Sequence, residues 1–201
     1  MKITRPIRAV LFDMDGVMVD SEFVYMKYLL EFAKEKNPAV KMEDINPMVG
    51  RSRQDSWTVM EQAVNNGENW ETLIREWADR DIYSQIDYRK IFRPEMKTTV
   101  QELKRRGYIV ALVSSTGPKL ISRIVEEVGM RPEFDLIVSG KQFKQSKPNP
   151  EIYHYTANIL GVREDECFVV EDSTVGIEAA YRAGMSIAGL KDDRFGFDQS
   201  K

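Results

Sequence analysis

Residues Ala9-Val10-Leu11-Phe12 run apolar and then stop abruptly at Asp13-Met14-Asp15-Gly16. The apolar run has the length and composition of a strand buried on both faces of a parallel sheet. Such a strand cannot continue through two aspartates, because desolvating a carboxylate without a partner costs several kcal/mol. The strand therefore ends there, and the carboxylates sit at its carboxyl edge, which is where open α/β sheets bind ligands. Paired carboxylates followed by glycine point to a metal and phosphate site more than to a plain turn.

The same transition recurs along the chain. Residues 108–113 form a second apolar segment that empties into Ser114-Ser115-Thr116-Gly117, and residues 134–139 form a third. Residues 167–170 lead into Glu171-Asp172-Ser173, and residues 186–190 form a short fifth segment. Helical patterns at 97–106, 118–128, 151–160 and 174–183 alternate with these segments and are closed by Gly107, Gly129, Gly161 and Gly184. Alternation of this kind predicts the α/β class, a doubly wound parallel sheet with helices on both faces. Residues 17–92 differ, with helical patterns at 22–36, 52–65 and 69–86 and no convincing strand. Trp57, Trp70 and Trp77 all fall here and read as a small helical core. The expectation is an all-α cap domain, 17–92, inserted into an α/β core made of 1–16 and 93–201, lying over the carboxyl edge of the sheet as a lid.

Composition removes several classes of function. A net charge of -3 gives no support to a nucleic-acid surface. No apolar stretch approaches the ~20 residues that span a bilayer. The single cysteine, Cys167, allows no internal disulfide, and the basic first residues lack the apolar segment of a signal peptide. A cytoplasmic protein is expected. With His154 as the only histidine, a His-rich metal site or a Ser-His-Asp triad is hard to build.

Parallel strands bring the polar ends to one edge: Asp13 and Asp15, then Ser114, Ser115 and Thr116, then Glu171 and Asp172. Lys147, in Lys147-Pro148-Asn149-Pro150-Glu151, joins them from the connection between the third and fourth strands. Carboxylates that face one another need a cation, and oxygen donors without histidine or cysteine point to Mg²⁺. Hydroxyls, backbone amides and a lysine suit the oxygens of a phosphate. One carboxylate can attack phosphorus while a second donates a proton to the leaving oxygen and then activates water. Asp13 would be the nucleophile and Asp15 the acid and base. Taken singly, each piece has a plainer reading: a calcium loop for Asp13–Gly16, a helix cap for Ser114–Gly117 and for Glu171–Ser173, a solvated loop lysine for Lys147. Their order and placement together carry the signal.

These residues resemble the haloacid dehalogenase superfamily, and the match runs through the chain. Leu11-Phe12-Asp13-Met14-Asp15-Gly16-Val17 with Asp20-Ser21-Glu22 is similar to the first motif, Ser114 after Ala111-Leu112-Val113 to the second, Lys147-Pro148 with Pro150-Glu151-Ile152-Tyr153 to the third, and Val169-Val170-Glu171-Asp172-Ser173 with Gly176 to the fourth. Gly50-Arg51-Ser52-Arg53-Gln54 resembles the substrate-side loop of the helical cap in the β-phosphoglucomutase-like branch. The resemblance implies that Asp13, the main-chain carbonyl of Asp15, Glu171 and Asp172 hold Mg²⁺, and that Ser114 and Lys147 bind the phosphoryl group with Ser115 or Thr116 nearby. It also implies that Arg53, with Gly50 and Tyr25 beside it, meets the substrate, and that 16–19 and 89–93 are hinges. Asp15 favours phosphate esters, because dehalogenases and phosphonatases of this kind lack that carboxylate. The mutases carry a histidine where Tyr25 stands here. The implied activity is therefore a phosphatase of small sugar or related phosphates, with a β-phosphoglucomutase-type phosphomutase as the alternative. A monomer is expected, and the family pattern leads to a further short strand and helix where residues 194–201 read as loop.

Overall fold

The computed structural model describes residues 6–49 and 53–191. The chain divides into two compact units, one made of the residues up to Asp20 together with Asp87–Lys191, the other of Ser21–Ile86. The strands are β1 (Ala9–Phe12), β2 (Ile109–Ser114), β3 (Leu136–Ser139), β4 (Cys167–Glu171) and β5 (Ser186–Gly189). The helices, in chain order, are α1 (Ser21–Lys36), α2 (Met42–Ile45), α3 (Arg53–Val64), α4 (Trp70–Ala78), α5 (Ile82–Gln85), α6 (Pro94–Arg105), α7 (Pro118–Glu127), α8 (Glu151–Leu160) and α9 (Thr174–Arg182).

The five strands pair in parallel in the order β3-β2-β1-β4-β5. Side chains of a strand alternate between faces, and both faces here are buried. Ala9, Leu11, Ala111, Val113, Val138, Cys167 and Val169 pack with Ile152, Tyr153 and Ala157 of α8 and with Ala179, Ala180 and Ala183 at α9 and its end. The alanines of α9 let that helix lie close to the sheet. Val10, Phe12, Val110 and Leu112 point to the other face and are also buried. On that side α6 buries Met96 and Val100, and α7 buries Ile121, Ile124 and Val125. Each such aliphatic side chain, fully buried, stabilises the fold by up to about 1.5–3 kcal/mol.

Register sets the carboxyl edge. Phe12 stands between Leu112 and Val170, and Ser114 stands opposite Ser139. Asp13, one residue beyond Phe12, is thus level with the ends of β2 and β4, and its N–H donates to the Val170 carbonyl at 3.0 Å. The chain then turns tightly. Gly16 takes a φ of +78°, and its N–H bonds the Val19 carbonyl at 2.8 Å. Asp20 N–H to Ile91 O and Arg93 N–H to Met18 O tie the outgoing and returning strands of chain together. Both segments read from the sequence as hinges, 16–19 and 89–93, belong to the sheet unit.

In the helical unit α1 buries Met26, Leu29, Phe32 and Ala33, a helical spacing. Trp57 of α3 and Trp77 of α4 meet Phe32 edge-on, with ring centroids 6.2 and 5.6 Å away. Trp70 is only half-buried. One local expectation fails. The pattern over 69–86 predicts one helix, but α4 ends at Ala78 and Asp81 takes a φ of +44° before α5 begins. The break lets Arg80 reach α1, where its guanidinium grips the Glu35 carboxylate with bonds of 2.8 and 2.6 Å and lies over the Phe32 ring. Residues 42–48 form α2 and a 3-10 turn that bury Ile45 and Met48, a piece too short to show a period.

Candidate active site

The edge of the sheet gathers groups from four separate connections. Lys147 is 9% exposed, and its ammonium donates to Asp13 Oδ1 at 2.7 Å, to Glu171 Oε1 at 2.8 Å and to the Val113 carbonyl at 3.3 Å. Those bonds use all its protons. Asp13 is 6% exposed and Glu171 1%. Burial would strip the proton from Lys147, but Asp13, Tyr153 and Glu171 outweigh it and hold the ammonium above its ordinary range. Burial pushes the Asp13 carboxyl well above the usual carboxylate range, Lys147 pulls it down, and Glu171 and Asp15 push it up again. One buried ammonium is thus shared by two carboxylates, and removing any one partner would cost about 3–5 kcal/mol.

Two hydroxyl residues shape the second carboxylate. Thr116 Oγ1 donates to Asp15 Oδ2 at 2.8 Å, and Thr116 N–H donates to Ser114 Oγ at 3.0 Å. Ser139 Oγ donates to the Thr116 carbonyl at 2.6 Å and fixes that loop from β3. Ser114 is buried at the end of β2, whereas Ser115 is exposed. The loop after β4 folds on Glu171, whose Oε2 accepts from Asp172 N–H, Ser173 N–H and Ser173 Oγ at 2.9, 2.8 and 2.9 Å. Ser173 also caps α9 by accepting from Gly176 N–H. A Cβ at Gly176 would fall 1.6 Å from Glu171 Oε1, and one at Gly16 would fall 1.7 Å from Asp172 Oδ2. Glycine at these positions is what lets the two carboxylates lie where they do.

A family model for haloacid dehalogenase-like hydrolases matches residues 10–190. The chain belongs to that family. Among relatives of this hydrolase, the phosphoglycolate phosphatase of Aquifex aeolicus is 28% identical over 90% of this chain and 84% of that protein. The phosphorylated carbohydrates phosphatase of Thermotoga maritima is 27% identical over 89% of this chain and 82% of that protein. Among solved structures, β-phosphoglucomutase of Clostridium difficile shares the fold, with a TM-score of 0.67 and 23% identity over 92% of this chain and 85% of that one.

The donor set of this haloacid dehalogenase-like hydrolase fits a hard dication in part. Asp13, Asp15, Glu171 and Asp172 carry more negative charge than Lys147 offsets, and their donors are all oxygen. Glu171, read from the resemblance as a metal ligand, is here the counter-ion of Lys147, with its second oxygen taken up by the loop after β4. Among the described residues no group of three or more acidic, histidine or cysteine side chains is arranged to hold an ion. Asp13 pairs with Lys147 as Glu171 does, so the candidate ligands remain Asp13, the main-chain carbonyl of Asp15, Glu171 and Asp172.

The helical unit has its own candidate residues. Arg53, exposed at the start of α3, and Tyr25 of α1 line the same two cavities, of about 650 and 240 Å³, with Trp57 in both. Trp77 Nε1 donates to the Tyr25 hydroxyl at 3.0 Å, and Tyr83 stacks on the Tyr25 ring at 6.0 Å. Burial pushes the Tyr25 phenol up, against the pull of that hydrogen bond. Gly50 lies outside the described residues. His154 is exposed on α8, its Nδ1 2.9 Å from Glu164 Oε1, as expected of a surface histidine. No described helix is long and apolar enough to cross a membrane. The sequence does not single out Ser139, and Tyr153 enters it only as part of the third motif, without a role. Ser139 ends an apolar strand like any other, and Tyr153 sits in a helical pattern as one more aromatic.

Proposed function

We propose that the chain is a Mg²⁺-dependent phosphatase of small phosphorylated metabolites, sugar phosphates foremost, that works through a phosphorylated Asp13. The observation that carries this reading is the buried Lys147 ammonium bonded to Asp13 at 2.7 Å, beside an Asp15 carboxylate held by Thr116. The names of the relatives support the substrate class.

Asp13 Oδ attacks phosphorus and the bond from phosphorus to the ester oxygen breaks. The Asp15 carboxyl gives its proton to that departing oxygen. Asp15, now ionised, takes a proton from water, whose oxygen attacks phosphorus. The bond from phosphorus to Asp13 breaks, releasing phosphate and restoring both carboxyls. Lys147 orients Asp13 and offsets charge on the phosphoryl oxygens, with Ser114, Ser115 and Thr116 lining the same edge. Asp13, Asp172 and the Asp15 carbonyl, with Glu171, would hold Mg²⁺, which would supply charge neutralisation between nucleophile and phosphate. In the helical unit Arg53 and Tyr25 would meet the remainder of the substrate, and 17–92 would act as the cap on its two hinges.

A mutase is disfavoured by Tyr25. Its oxygen accepts the Trp77 N–H, and its phenol titrates above the usual tyrosine range, so it cannot relay protons as an imidazole does. Phosphate release from a sugar-phosphate panel, with and without EDTA, tests the reading. Metal-dependent release is expected. Conversion of β-glucose 1-phosphate to glucose 6-phosphate without free phosphate would replace it with the mutase.

A further inference from the structure

Tyr153 in the first turn of α8 is fully buried, and its ring lies against the Lys147 ammonium, with Nζ 5.3 Å from the ring centroid. At that distance the negative face of an aromatic ring attracts a cation. The Tyr153 hydroxyl oxygen is buried without a hydrogen-bond partner. The Lys147 ammonium lies beside it but aims its three protons at Asp13, Glu171 and the Val113 carbonyl. Phenylalanine would fill the same space and desolvate no oxygen, so packing alone does not account for a tyrosine here. What the phenol adds is a polar oxygen beside a buried cation.

We propose that Tyr153 is the positioning residue for Lys147, with its ring and hydroxyl keeping the ammonium dry and aimed between Asp13 and Glu171. The proposal rests on the phosphatase reading for the task of Lys147, but not for its placement. Turnover of p-nitrophenyl phosphate at saturating Mg²⁺ and thermal melting are compared for the wild type, Tyr153→Phe and Tyr153→Leu. We expect kcat to fall about threefold in Tyr153→Phe and about tenfold or more in Tyr153→Leu, with KM changed less than about twofold in both. Tm of Tyr153→Phe should equal or exceed that of the wild type. Activity lost without stability lost is an outcome that a packing role does not give, and the Phe variant alone yields it if Tyr153→Leu does not fold. Wild-type kcat in folded Tyr153→Leu, or losses that merely track Tm, would overturn the proposal.

A second readout needs no turnover. The side-chain Hζ–Nζ cross-peak of Lys147 is visible by ¹H–¹⁵N NMR only when its protons exchange slowly with water. It should be present in the wild type and Tyr153→Phe and absent in Tyr153→Leu. Persistence in Tyr153→Leu counts against the proposal. Expected cross-peaks in a protein that hydrolyses no ester would leave the positioning of Lys147 standing and remove the phosphatase reading instead.

Discussion

The two units of this molecule treat charge in opposite ways. At the edge of the sheet, Asp13, Lys147 and Glu171 are buried and bonded to one another. In the helical unit the interior is aromatic, built on Phe32, Trp57 and Trp77, and the Arg80–Glu35 pair lies at the surface. Charges in water are cheap to rearrange and contribute little, whereas buried charges hold each other in place because neither can be left alone. On the proposed function the sheet carries the fixed chemistry and the helices vary what they meet.

If that division is right, the largest effects come from the sheet. Asp13→Asn should lower kcat by about 10⁴-fold or more, since no neighbouring group replaces the nucleophile, while circular dichroism stays that of the wild type. Asp15→Asn should cost about 10²–10⁴-fold, and more for a sugar phosphate than for p-nitrophenyl phosphate, whose leaving group needs no proton. Equal losses on both substrates would break the assignment of Asp15. Gly176→Ala forces a methyl group onto the Glu171 carboxylate. By displacing a partner of Lys147 it should destabilise the fold by about 3 kcal/mol or more in urea unfolding, a change that no alanine on an exposed helical face would produce.

The helical unit should respond differently. Trp77→Phe removes the N–H donated to Tyr25, at a cost of about 1 kcal/mol. Turnover of p-nitrophenyl phosphate should hardly change, while KM across a sugar-phosphate panel shifts. A loss of turnover equal on every substrate would erase the distinction between the units. The smallest effect concerns Cys167, whose buried thiol is pushed up to about 12 by desolvation, with Glu164, Glu166 and Asp165 adding to it. Its folded value is raised, so its contribution to stability is whole below the ordinary thiol range of about 8.5 and is lost as pH climbs towards the folded value. At pH 8 a thiol reagent should leave the native protein unmodified and react fully once urea unfolds it.

How much of this the sequence carried follows the same division. The strands were legible because each apolar run ends at a change of polarity, and Thr174–Arg182 and Glu151–Leu160 because a glycine follows each closely. Asp13 and Lys147 could be named as site residues from their place at strand ends. What Glu171 does could not, since a glutamate is written the same way whether it binds a metal or pairs a lysine. Its partners decide, and they come from the loop after β4 and the loop holding Lys147. The break at Asp81 was hidden because Ile82 and Ile86 continue an apolar pattern across it. The place of Tyr153 against Lys147 was hidden because burial against a cation leaves no periodic mark.

The central claim is that Asp13 takes up the phosphoryl group. Rapid acid quench of the enzyme during turnover of a sugar phosphate, followed by peptide mass spectrometry, reads it directly. The account predicts a phosphoryl adduct on Asp13 that forms within the first turnover and is absent from Asp13→Asn. Steady release of phosphate with no adduct, or with the adduct on another side chain, would contradict it.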